Sequence, residues 1–297
     1  MRLPNFLIVG APRTGTTSMH RYLSEHPEIF LAGKKELHYF TNEYLTANSN
    51  GPKDKVYRYC KTLDEYRAFF QDVPAKAKAV GEISPSYLFF PQCIPKIKAL
   101  LGESVRIIIM LRNPIERAYS NYWHMVNLKR ETLTFWDALQ AEEERLERGW
   151  RNIWLYKRHS LYSEKVRRYI EEFGSSKVKV LLYDDFSSNT LRTLQDVHRF
   201  LGVRAEFAPK NIDVVFGGRG VEKRRSLGPR PIKSLVKLLL PRRALGVLRK
   251  LQEPGVRGNA KGEALPDDRC VAFLRQYFSE DITRLEKLLQ ADLSMWK

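Results

Sequence analysis

Apolar and polar positions follow two rhythms along the chain. Phe6–Val9 and Val105–Leu111 are almost unbroken apolar runs of strand length, the pattern of parallel strands buried on both faces. Lys177–Tyr183 predicts a third strand, and Ala79–Ile83 a short one running into the turn Ser84-Pro85-Ser86-Tyr87. Segments of helical period lie between them. Met19, Tyr22 and Leu23 share one face, as do Val166, Tyr169, Ile170 and Phe173, and Thr190–Leu201 continues the theme. Gly174 and Gly202 stop the last two helices. Thr62 with Glu65 predicts a capping box opening a helix over residues 63–70. Thr134 with Asp137 predicts another, whose helix runs on through Glu142-Glu143-Glu144, an acidic run expected to be a solvated face. The rest of 42–78 reads as polar loop. Strands alternating with helices predict an α/β fold, a three-layer sandwich with a central parallel sheet, as one domain over 1–297.

Chemistry enters at the first strand's end. Gly10-Ala11-Pro12-Arg13-Thr14-Gly15-Thr16-Thr17-Ser18 is a loop bounded by two glycines that opens a helix. Unpaired N–H groups and the helix dipole make such a terminus an anion cradle. Arg13 adds positive charge and Thr16, Thr17 and Ser18 add hydroxyls; the bland alternative is an ordinary βα turn. A triphosphate loop would carry lysine at position 16, where Thr16 stands, which argues against an ATP or GTP hydrolase. The strand 105–111 ends in Arg112-Asn113-Pro114, with proline fit for a first helical position. Two strand–loop–helix units in one parallel sheet bring both loops to the carboxyl edge, where ligands bind. Lys34-Lys35-Glu36-Leu37-His38-Tyr39-Phe40 is either a solvated turn or a catalytic cluster with Glu36 or His38 as general base.

Composition narrows the classes. Of 297 residues, 43% are hydrophobic, enough for a core, and the formal charge of +17 predicts anionic partners. Eleven Lys and Arg against the single acid Glu222 fall within Arg219–Lys250, whose apolar residues sit at helix-like spacing. That segment is expected to clamp cofactor near Lys223–Ser226, dock an acidic acceptor or lie on a membrane surface, unless it is a core-packed helix with a basic face. Residues 252–264 are expected to border the acceptor site. Cys60, Cys93 and Cys270 fit a reducing compartment and no metal site. With no signal-peptide core and no apolar run near the roughly 18 residues of a membrane span, the expectation is a soluble, cytoplasmic protein.

The whole pattern resembles sulfotransferases that use 3′-phosphoadenosine 5′-phosphosulfate (PAPS), nearest to the bacterial and glycosaminoglycan-modifying branch. Ala11–Ser18 resembles the family's 5′-phosphosulfate loop, and Arg112–Tyr122 its 3′-phosphate motif, with Arg112 and Ser120 as the holding pair. Lys35–Phe40 resembles the segment carrying the glutamate base, and Glu82–Tyr87, Lys177–Phe186 and Leu265–Trp296 match further segments. The resemblance implies a P-loop-like nucleotide-binding core and transfer of a sulfuryl group from PAPS to a hydroxyl or amine. Glu36, Arg13 and His38 would be catalytic, with His124 the next candidate base. Arg13, Thr14, Gly15, Thr16, Thr17, Ser18, Arg112, Ser120, Tyr162, Lys223, Arg224 and Arg225 would bind cofactor, and no metal is required. The acceptor would be a small molecule, glycan, lipid or carrier-bound group and not a nucleic acid. Two departures stand out: Arg13 where the family often has lysine, and Ile83 where the glycosaminoglycan branch often has lysine. The competing classes are a nucleotide kinase or hydrolase and a non-catalytic polyanion- or membrane-binding relative.

Overall fold

A computed structural model describes residues 2–54, 60–210, 212 and 266–297. The described fold belongs to one unit, Met1–Phe216 with Leu265–Lys297; Gly217–Ala264 forms a second unit that lies outside the described residues. Lys223, Arg224, Arg225, the basic segment and the 252–264 loop therefore lie outside them too.

Five strands, β1 (Phe6–Gly10), β2 (Ile29–Leu31), β3 (Ala79–Ile83), β4 (Arg106–Leu111) and β5 (Val178–Leu182), form one sheet in the order β2-β3-β1-β4-β5. Every pairing is parallel. The helices are α1 (Thr16–Ser24), α2 (Asn42–Ala47), α3 (Leu63–Ala68), α4 (Ser86–Phe89), α5 (Ile94–Leu101) and α6 (Pro114–Asn127). Then come α7 (Phe135–Gln140), α8 (Glu142–Glu147), α9 (Ser163–Phe173), α10 (Tyr183–Ser188), α11 (Thr190–Leu201) and α12 (Asp268–Leu289).

The apolar runs are unbroken because both faces of the sheet are covered. Leu7 and Val9 of β1, with Ile107, Ile109 and Leu111 of β4, enter a core shared with α5, α6, α9 and α12. Phe6, Ile8, Ile108 and Met110 point the other way, into a core with α1 and α11. Alternation by two sends successive apolar residues to opposite layers. The α/β sandwich with a central parallel sheet is thus the observed architecture.

Three local expectations change. The polar stretch after Thr41 contains α2. The helix from Thr134 breaks at Ala141 into α7 and α8, and its box is one-sided, because Thr134 Oγ1 accepts from Asp137 N–H while donating to the Asp137 carboxylate. The acidic run is no solvated face at its start. Glu142 is buried and accepts the Lys157 and Arg158 N–H groups at 2.7 and 2.8 Å. Its partners lie a helix away in sequence, so charge alone carried no sign of them.

Candidate active site

The order β3-β1-β4 puts the carboxyl ends of β1 and β4 side by side, the switch point at which open α/β sheets bind ligands. Ala11 N–H donates to Met110 O at 2.7 Å, so the loop after β1 starts against the end of β4. Glycine is required at both ends of this loop. At Gly10 (φ +147°) a Cβ would lie 2.7 Å from Leu88 Cβ; at Gly15 (φ +85°) it would press on the Phe186 ring at 3.1 Å. Gly15 stands at the N-cap of α1, no side chain caps that helix, and its first turn carries no acid. The terminus is therefore an electropositive set of N–H donors. Thr14 Oγ1 donates to Ala11 O at 2.6 Å, so this buried hydroxyl closes the loop on itself.

The rim joins distant segments. Arg13, with a left-handed backbone (φ 69°), donates from Nε to Ser120 Oγ of α6 at 3.2 Å. Lys35 Nζ donates to Thr17 Oγ1 at 2.8 Å and brings a second cation over the terminus. Burial lowers the Lys35 pKa, and neighbouring Glu36 opposes that shift. Thr16 and Ser18 are buried in the first turn of α1 and Thr17 is exposed. Asn113 caps α6 by accepting from Ile115 and Glu116 N–H, with Pro114 in the first turn as expected. Arg112 stacks on Tyr183, 4.7 Å to the ring centroid, and its Nε and Nη2 donate to Glu116 at 3.0 and 2.8 Å. Thus Ser120 meets Arg13, while Arg112 meets Glu116 one turn along the same helix. Tyr162 is buried, and its hydroxyl donates to Arg112 O at 3.0 Å, so it buttresses the β4–α6 junction.

Glu36 and His38 also have left-handed backbones, φ 63° and 55°, uncommon for side chains of this size. Strained positions of this kind cluster at functional sites. Glu36 is exposed; His38 is buried beside it, with Nε2 3.7 Å from the carboxylate. His38 Nδ1 lies 2.7 Å from Ser86 Oγ, itself 2.6 Å from Thr41 Oγ1. A carboxylate at Nε2 favours the tautomer with its proton there, leaving Nδ1 to accept from Ser86. The His38 hydrogen bond lowers the Glu36 pKa, burial opposes it, and the charges of His38, Lys35 and His124 add to the lowering. Burial, then the Arg13 charge, lowers the His124 pKa; Glu36 works against both. Lys35 belongs to the charged cluster read from sequence, where the lysines were expected to tune the site; Ser86 and Thr41 were not singled out. Only position could have marked the hydroxyls, since isolated Ser and Thr carry no pattern.

The site thus combines an anion cradle, a rim of Arg13, Lys35 and Ser120, and a Glu–His pair nearby. A family profile described as "Sulfotransferase family" matches residues 4–207. The chain belongs to the sulfotransferase family. A crystal structure of a sulfotransferase from Alicyclobacillus acidocaldarius is similar over 100% of this chain and 99% of that one, with 32% identity and a TM-score of 0.78. Bifunctional heparan sulfate N-deacetylase/N-sulfotransferase 2 of Mus musculus is 30% identical over 212 residues, 68% of this chain and 22% of that protein. Membrane-associated sulfotransferase kil1 of Dictyostelium discoideum is 33% identical over 129 residues, 43% of this chain and 24% of that protein. The chain therefore spans under a quarter of the length of these two relatives. As a sulfotransferase it has, among the described residues, no helix long and apolar enough to cross a membrane and no group of three or more His, Cys, Asp or Glu that could hold a metal.

Proposed function

We propose that this sulfotransferase takes its sulfuryl group from PAPS and passes it to a hydroxyl or amine by in-line displacement. The observation that carries the reading is the Arg13–Ser120 contact, which joins the loop after β1 to the helix after β4 at an acid-free helix terminus. The residues fit the donor. Arg13, Lys35 and the first-turn N–H groups of α1 would receive the 5′-phosphosulfate, with Thr16, Thr17 and Ser18 as hydroxyl partners. Arg112 and Ser120 would hold the 3′-phosphate, Arg112 exchanging Glu116 for it.

Glu36 would take the acceptor's proton as the acceptor O–S or N–S bond forms. The bridging S–O bond breaks, and its electron pair stays on the departing 5′-phosphate oxygen. Arg13 is suited to stabilising that oxygen as a fixed charge, since a guanidinium does not give up its proton. The lowered Glu36 pKa keeps it ionised and able to accept, and His38 orients it through Nε2. Positioning and charge stabilisation dominate chemistry of this kind.

Labelled PAPS with a panel of hydroxyl and amine acceptors tests the assignment. Glu36→Gln should lose about 10²–10⁴-fold in turnover, the usual size of general-base help, while keeping affinity for the product 3′-phosphoadenosine 5′-phosphate (PAP). Unaltered turnover would remove Glu36 as base and leave His38 or His124. The kinase reading lacks the lysine at position 16. An anionic acceptor, and contact of Arg219–Lys250 with cofactor, acceptor or membrane, stay part of this proposal and rest on the +17 charge; a cytoplasmic site of action, proposed with them, rests on the three free cysteines.

A further inference from the structure

Behind the catalytic segment lies a carboxylate that the mechanism above does not use. Glu82 is the fourth residue of β3, opposite Leu7 of β1 in the parallel register, and is 1% exposed. Its neighbours are hydroxyls. Tyr66 of α3 and Tyr87 of α4 donate to Oε1 at 3.0 and 2.8 Å, and Ser84 donates to Oε2 at 2.7 Å. A buried carboxylate held only by neutral donors is costly, and an apolar residue would fill a strand position more cheaply.

What that arrangement supports is the strained segment in front of it. Glu36 N–H donates to Ile83 O at 2.8 Å, His38 N–H to Ser84 Oγ at 3.1 Å, and the His38 ring meets Ser86 Oγ at 2.7 Å. The end of β3 is thus a template, and its anchors at 83, 84 and 86 fix both left-handed residues. The middle anchor is directional only while its own proton is engaged. With Ser84 O–H turned onto Glu82, the Ser84 lone pairs face His38 N–H. Tyr66 also stacks on Tyr39, 4.5 Å between centroids, so the same cluster grips the chain just after His38.

We propose that Glu82 is a positioning residue for the Glu36–His38 pair: its ionised carboxylate orients the Ser84 hydroxyl, and Ser84 fixes the His38 backbone. The proposal rests on the reading of Glu36 as base. Ionised, Glu82 only accepts and satisfies all three hydroxyls. Protonated, it must send its own O–H toward one of them, and the Ser84 orientation is no longer unique. The titratable groups facing it are Tyr66, Tyr87, Cys60 and Cys93. Burial pushes each of these four up and keeps it neutral, so none competes for charge at neutral pH. Burial also pushes the Glu82 pKa up to about 7, against the pull of Ser84, Tyr87 and Tyr66. Turnover should therefore fall on an acid limb near neutrality that Glu82 sets.

The test uses the full chain and the variants Glu82→Gln, Ser84→Ala and Ser84→Thr, with two readouts. The first is hydrogen-exchange protection of the His38 amide in protein without ligand. The second is PAP release from PAPS with a phenol as acceptor, run across pH beside PAP affinity. Glu82→Gln and Ser84→Ala should each lower His38 amide protection about tenfold, the loss of one hydrogen bond, and lower kcat about 10–10²-fold by misplacement. PAP affinity should stay within about twofold. Ser84→Thr should restore both, and Glu82→Gln should flatten the acid limb. Unchanged protection of the His38 amide in both Glu82→Gln and Ser84→Ala would overturn the proposal, as would PAP affinity falling in step with kcat. If the unaltered protein binds no PAP, the donor reading fails, and the amide protection still decides the role of Glu82.

Discussion

At the scale of single residues, the site depends on a few groups held where water or an apolar residue would cost less. Glu82 is the clearest. Its carboxyl titrates near 7 in the fold because burial outweighs three hydrogen bonds, against about 4.3 in an unfolded chain. The folded state therefore holds the proton more tightly. Stability from this group is full below about pH 4 and is lost as pH rises through about 7, a decline on the order of 3 kcal/mol. Urea unfolding at pH 5 and pH 8 should show that decline in the unaltered protein and a smaller one in Glu82→Gln. Parallel pH dependence of the two proteins would show that Glu82 is not the buried acid responsible. The sequence showed this residue only as part of a family segment. Its partners Tyr66 and Ser84 sit sixteen and two positions away, and nothing in their spacing announces a shared carboxylate.

At the scale of elements, α6 aligns much of the site. Asn113 and Pro114 start it, and Glu116, Ser120 and His124 follow at intervals of four, one turn apart on one face. Loss of the Asn113 cap should cost about 1 kcal/mol. Asn113→Ala should accordingly lower the melting temperature and loosen the Arg112 junction, weakening PAP binding more than any acceptor-side property. A melting temperature matching the unaltered protein would mean that Pro114 alone starts the helix. Elements with local signals were legible: the buried strands, the Thr62–Glu65 box, Pro114, and the glycines ending α9 and α11. Elements that depend on distant partners were not. Glu142 looked like surface because its N–H partners come from 157 and 158, and α2, whose one buried residue is Leu45, hid in a polar stretch.

At the scale of the whole molecule, a parallel sheet with β1 beside β4 brings residues 13 and 120 into contact across more than a hundred positions. Periodicity predicted the layers, and the two loop motifs predicted the meeting point, because each follows a strand of the same sheet. The acceptor was not legible, since its binding depends on side chains gathered by tertiary structure rather than on a phosphate-binding backbone. The proposed function requires this meeting point to recognise a 3′-phosphorylated adenosine nucleotide. Calorimetric titration with PAP, beside ADP and magnesium-ATP, is the measurement that decides this. Tight binding of PAP alone is expected, weakened about 10–10²-fold in Arg112→Ala by loss of a charge-assisted contact. Preference for magnesium-ATP, or PAP binding indifferent to Arg112, would contradict it.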